Sequence, residues 1–129
     1  MPQIKKRVLV VDDDPGVRAG LETRLTASGY DVHSVTCGED ALLACSPIPP
    51  EIVLLDVSMP GLDGYQVCER IRNTVNSPTI AVVFLTGTTH AGTSSPLAQM
   101  VNQSGGDYFI AKPYDPQLLI ELLDLISQE

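Results

Sequence analysis

Four places in this sequence put reactive side chains at the end of an apolar run. Asp12 and Asp13 follow Val8 to Val11, Asp56 follows Ile52 to Leu55, Thr86 follows Ile80 to Leu85, and Lys112 follows Tyr108 to Ala111. Carboxylates gathered at one point repel one another, so such a cluster calls for a cation or for shifted pKa values. Mg²⁺ suits it, because that ion favours oxygen ligands and keeps waters that a phosphate can replace. A carboxylate is also a nucleophile, and an aspartyl phosphate is one of the covalent intermediates it forms. In that chemistry a metal offsets charge on the incoming phosphoryl group, an ammonium adds a second positive charge, and a hydroxyl donates to a phosphoryl oxygen. Asp13, Asp56, Thr86 and Lys112 supply one of each part.

Other reactive residues carry less. The triplet Asp12, Asp13, Asp14 prompts a test for a calcium loop, which fails: Gly16 falls at the fifth position, Val17 replaces the required glycine and Thr23 the closing glutamate. Asp14 before Pro15 reads instead as a helix cap with proline at the first helical position. His33 and His90 have no Cys, His or carboxylate at metal-ligand spacing, which leaves them surface or loop roles. Cys37, Cys45 and Cys68 are odd in number, lack CxxC spacing and lie among apolar residues, so free thiols in a reducing compartment are expected.

The elements that must position these residues follow from the apolar patterning. Continuous β-branched runs alternate with segments of helical period, which predicts βα units around a parallel sheet. Val8 to Val11 is a strand covered on both faces, and Val17, Leu21 and Leu25 mark the buried side of a helix that ends at Gly29. Asp31 to Val35 is a second strand, Glu39 to Cys45 a short helix closed by Pro47, Pro49 and Pro50, and Ile52 to Leu55 the third strand. Tyr65 to Arg72 places Val67, Cys68 and Ile71 on one helical face. Ile80 to Leu85 is the fourth strand, Thr86 to Ser95 a Gly, Thr and Ser-rich loop, and Ser95-Pro96 opens a weak fourth helix ending near Gly105. Tyr108 to Ala111 is the fifth strand, and Leu118, Leu119, Leu122, Leu123 and Ile126 form the buried stripe of a last helix. Ligands of such a sheet bind beyond the carboxyl ends of the strands, near the point where strand order reverses. All the residues named at the outset belong there.

Length and composition bound the function. A chain of 129 residues with 43% hydrophobic content forms one domain, residues 1 to 129. Its 16 acidic against 8 basic residues give a formal charge of -8, which disfavours attraction to nucleic acid, and no direct nucleic acid binding is expected. No apolar run approaches the ~20 residues of a membrane span. The N-terminal segment is too short in apolar residues for a signal peptide, so a cytoplasmic location is expected.

The motifs Val-Leu-Val-Val-Asp-Asp-Asp-Pro at 8 to 15, Leu-Leu-Asp-Val-Ser-Met-Pro-Gly-Leu-Asp-Gly at 54 to 64, Leu-Thr-Gly at 85 to 87 and Phe-Ile-Ala-Lys-Pro-Tyr at 109 to 114 resemble the receiver family of two-component response regulators. The match covers nearly the whole chain in the family's order. The resemblance implies a doubly wound, flavodoxin-like α/β fold with one five-stranded parallel sheet of order 2-1-3-4-5. It also implies that Asp56 accepts a phosphoryl group from a histidine kinase or histidine phosphotransfer protein. By the same resemblance Asp13, Asp56 and the backbone carbonyl of Ser58 bind Mg²⁺, with Asp12 acting through a coordinated water. Lys112 pairs with a phosphoryl oxygen, Lys112-Pro113 is a candidate cis peptide, and the backbone of Ser58 and Gly87 faces the phosphate. Thr86 and Phe109 form the switch pair, which reshapes the surface of the fourth helix, fifth strand and fifth helix toward a downstream partner or output domain. A phosphorylation-dependent homodimer is a further implied partner.

The sequence departs from the family in three respects. The separation of Thr86 and Lys112 is a few residues longer than the family's, with the excess in the Gly and Ser-rich loop. Phe109 replaces the more usual tyrosine, so rotamer control there rests on packing. Ser58 and Thr88 occupy the positions that tune dephosphorylation in the family. Two other functions compete. A Mg²⁺-dependent phosphatase of the haloacid dehalogenase type places a second acid two residues after its nucleophile, where this chain has Ser58. A degenerate receiver that binds partners without phosphorylation is disfavoured by the full set Asp12, Asp13, Asp56, Thr86 and Lys112.

Overall fold

The computed structural model describes residues 6–45, 48–57, 61–74, 80–86, 108–111 and 115–127, with the side chains of 74, 86 and 111 left aside. Among the described residues there are five strands: β1 (Arg7–Val11), β2 (Asp31–Val35), β3 (Ile52–Asp56), β4 (Ala81–Thr86) and β5 (Tyr108–Ala111). The described helices are α1 (Pro15–Ala27), α2 (Gly38–Ala44), α3 (Gly64–Thr74) and, at the C-terminal end, α4 (Pro116–Ser127). The helix expected over 96 to 105 and the loop before it lie outside the described residues.

All strand pairs are parallel, in the order β2-β1-β3-β4-β5. This is the predicted doubly wound topology. Val8 to Val11 pair with Ile52 to Leu55, and Asp56 pairs with Leu85. The order reverses around β1, whose neighbours β2 and β3 lie on its two sides, and this opens a crevice at their carboxyl ends.

Because side chains alternate across a strand, the apolar runs feed two cores. Leu9, Val11, Val53, Leu55, Val82 and Phe84 pack against Ala41 of α2 and Val67, Cys68 and Ile71 of α3. Val8, Val10, Ile52, Leu54, Val83 and Leu85 pack on the other face against Leu21 and Leu25 of α1 and Leu119 and Leu123 of α4. α1, α3 and α4 lie on the sheet by the stripes their sequences predict, with one correction. Leu118 of α4 is 62% exposed, so the covered face narrows to Leu119 and Leu123, with Leu122 and Ile126 partly covered. Residue 118 lies about 100° around the helix from 119, beyond the edge of the contact with the sheet.

Cys45 and Cys68 are buried, Cys37 is half-buried, and all three are free. Burial pushes the Cys45 thiol above its ordinary pKa, as expected of a thiol used for packing. No helix among the described residues is long and apolar enough to cross a membrane.

Candidate functional site

Asp12 stands one residue beyond β1, Asp13 follows it, and Asp56 is the last residue of β3. Since β1 and β3 are adjacent and parallel, their carboxyl ends deliver the three side chains to one place. A carboxylate oxygen from each lies within 4.8 Å of the other two. Asp12 is fully buried, Asp56 is 4% exposed, and Asp13 is exposed. A charged group is not placed in such burial without partners or a counter-ion. The donor set of three hard carboxylate oxygens, open to solvent on the Asp13 side, fits a small divalent cation with retained waters.

The turn from β1 into α1 is tightly held. The Asp12 N–H donates to the carbonyl of Val35 on β2 at 3.2 Å, and the Asp14 N–H donates to Asp12 Oδ1 at 2.9 Å. Asp14 in turn caps α1, its Oδ1 accepting from the N–H groups of Gly16 at 2.8 Å and Val17 at 3.3 Å. Arg18, one turn into α1, donates from Nη1 to the carbonyl oxygen of Asp12 at 2.9 Å.

The Asp56 side is held by β4 and α3. The Val57 N–H donates to the carbonyl of Leu85 at 3.0 Å, and the Gly64 N–H donates to the carbonyl of Val57 at 3.1 Å. Asp63 and Gln66 form a reciprocal cap at the start of α3, each backbone N–H donating at 2.9 Å to the other's side chain. Gly64 meets the end of β3 closely: a Cβ there would lie 2.6 Å from the Asp56 carbonyl oxygen and 2.9 Å from Val57 Cα. Only glycine fits that approach. The ring of Tyr65 then packs on Phe84 of β4, with centroids 4.8 Å apart. Its hydroxyl is buried and makes no hydrogen bond among the described residues. Burial, with a further contribution from Asp63, raises its pKa.

Of the residues singled out in the sequence, the structure brings Asp12, Asp13 and Asp56 together. The backbone of Thr86 closes β4 opposite Ala111, one position beyond the pairing of Asp56 with Leu85. Phe109 pairs with Phe84 in the sheet and is 36% exposed. Ser58, Gly87, Thr88, His90, Lys112, Pro113 and Tyr114 lie outside the described residues. Two supporting residues had no reading in the sequence, Arg18 and the role of Gly64. Asp63-Gly64 was part of a recognised motif, but the close approach that demands glycine is a tertiary contact, and Arg18 has no local pattern that marks it.

Comparison with known proteins agrees with this geometry. The family "Response regulator receiver domain" matches residues 8–124. A probable transcriptional regulator ycf27 of Porphyridium aerugineum is 39% identical over 89% of this chain and 45% of its own length. The DNA-binding response regulator MtrA of Mycolicibacterium smegmatis is 34% identical over 93% of this chain and 50% of its own. The chain thus spans about half the length of these curated relatives. A crystal structure of a putative response regulator from Chloroflexus aurantiacus superposes with a TM-score of 0.84 at 31% identity, covering 98% of this chain and all of that one. With that match, the fold order and the acidic crevice, the chain belongs to the response regulator receiver domain family.

Proposed function

We propose that this chain is a two-component phosphoacceptor in which Asp56 takes up a phosphoryl group in a Mg²⁺-dependent reaction and thereby switches contacts with a partner or output domain. The observation that carries the reading is the convergence of the Asp12, Asp13 and Asp56 carboxylates at the reversal point of the sheet. Receiver domains as a family bind Mg²⁺ at an acidic pocket, serve as signalling domains and interact with histidine kinases and output domains.

In this chain Asp13, Asp56 and the Ser58 carbonyl would hold the ion directly, and Asp12 through a water. When bound, Mg²⁺ supplies positive charge that offsets the crowded carboxylates and the phosphoryl oxygens. An Oδ atom of Asp56 forms the new bond to phosphorus while the bond from phosphorus to the donor's nitrogen or oxygen breaks, its electron pair leaving with the donor. Asp56 is 4% exposed, and the bond from the Val57 N–H to the Leu85 carbonyl fixes the backbone that carries it at the end of β3. By the family resemblance, Lys112 would pair with a phosphoryl oxygen, the Thr86 hydroxyl would donate to another, and the Gly87 backbone N–H would serve the same group. Inward turning of Phe109 transmits the change to the surface around β5 and α4. The site acts in the cytoplasm, where histidine kinases and phosphotransfer proteins present their phosphohistidine.

Acetyl phosphate with Mg²⁺ is expected to add one phosphoryl group, read as a single mass increase, and Asp56→Asn is expected to prevent it. An unmodified wild type would overturn the proposal. Sustained turnover of small phosphoesters would favour a phosphatase instead.

A further inference from the structure

Asp13 is the exposed member of the triad, and its carboxylate makes no hydrogen bond or ion pair among the described residues. Among the described residues, neither packing nor a side-chain partner fixes its direction. Its described restraint is the backbone that carries it. The carbonyl of Asp12 belongs to the planar peptide unit that links Asp12 to Asp13, so whatever holds that oxygen holds the plane from which the Asp13 Cα departs. Arg18 holds it, with Nη1 at 2.9 Å. The guanidinium is half-buried and makes no ion pair among the described residues, so its bond to the carbonyl is not a by-product of pairing with a neighbouring carboxylate. The root of Arg18 is equally fixed. Its own N–H donates to the backbone carbonyl of Asp14 at 3.0 Å.

We infer that Arg18 is a positioning residue for the metal site: by clamping the Asp12-Asp13 peptide plane it sets where the Asp13 carboxylate stands relative to Asp12 and Asp56. The inference rests on the reading of the triad as a Mg²⁺ site. It has a sign that separates it from simple electrostatics. A cationic guanidinium beside a cation site opposes metal binding, so loss of its charge alone tightens Mg²⁺. Loss of a positioning bond weakens it, and removal of groups that orient metal ligands costs on the order of tenfold in affinity or more.

The test is calorimetric titration of Mg²⁺ into the wild type, Arg18→Met, Arg18→Ala and Arg18→Lys, with thermal unfolding in EDTA to establish that each is folded. Two neutral variants are included so that one ill-folded protein does not decide the matter. Amide hydrogen exchange at residues 12 to 14 is followed in EDTA. Arg18→Met and Arg18→Ala are expected to bind Mg²⁺ about tenfold more weakly and to exchange faster at that turn. Arg18→Lys keeps the charge and one donor and is expected to recover most of both. Equal or tighter Mg²⁺ binding by the neutral variants overturns the inference. A wild type that takes up no Mg²⁺ removes the metal reading itself, whereas unchanged exchange in the neutral variants removes the role of Arg18 whatever the titration shows.

Discussion

At the scale of single residues, the acidic crevice depends on side chains that do no chemistry of their own. Gly64 is the clearest, because a methyl group there would meet the Asp56 carbonyl oxygen at 2.6 Å and the Val57 backbone at 2.9 Å. Neither atom can swing aside as a flexible side chain would. Gly64→Ala is expected to cost roughly 1–3 kcal/mol by forcing α3 away from β3. The same shift displaces Asp56, so the variant is expected to be phosphorylated more slowly by acetyl phosphate even where it is fully folded. Denaturant unfolding and the rate of mass increase measure the two effects separately. The aspartates were legible because each ends an apolar run. Gly64 and Arg18 were not, since their importance lies in which backbone they approach across the fold.

At the scale of elements, α1 and α3 show two ways of starting a helix beside a reactive site. Asp14-Pro15 could be recognised from types and order alone, and the structure places the Asp14 carboxylate on the Gly16 and Val17 N–H groups. Asp14 does a second task, since its own N–H donates to Asp12 Oδ1. Asp14→Ala removes the cap and leaves that N–H in place, so it is expected to cost about 1 kcal/mol of stability while Mg²⁺ affinity changes little. A denaturant midpoint and a Mg²⁺ titration check both halves. At α3 the Asp63 and Gln66 pair completes a reciprocal cap that the sequence reading did not include, because Asp63 sits inside a motif given another meaning and Gln66 lies beyond it in the helix. The strands were legible from their continuous apolar runs. The exposure of Leu118 was not, because a leucine-rich helix such as α4 offers more apolar faces than the sheet covers and only the packed structure selects among them.

At the scale of the whole molecule, a single phenol ties the first half of the chain to its last helix. Tyr30, between α1 and β2, is buried and donates its hydroxyl to Asp124 of α4 at 2.6 Å, with Ser127 at 3.2 Å. Burial first, and the bond to Asp124 second, push its pKa up from 10 to about 12. A group whose pKa is higher in the folded than in the unfolded protein favours folding while it stays protonated. That contribution is whole below about pH 10 and disappears as pH rises through about 12. The wild type is therefore expected to lose stability over that alkaline interval more steeply than Tyr30→Phe, which has no proton to lose there. Urea unfolding of both proteins at a series of alkaline pH values is the measurement.

The placement of Asp56 also bears on how the chain finds its strand alignment. β3 is apolar and buried on both faces, Ile52 and Leu54 facing one core and Val53 and Leu55 the other, so a one-residue slip would exchange one greasy surface for another. Alternation, which disciplines a strand with one wet face, gives little guidance here. The carboxylates do. Sliding β3 inward would drag the Asp56 charge among aliphatic side chains, and sliding β1 inward would do the same with Asp12, at a cost that dwarfs any gain in packing. The groups that make this crevice reactive thus serve during folding as end stops, halting each strand where its neighbour's chemistry is waiting.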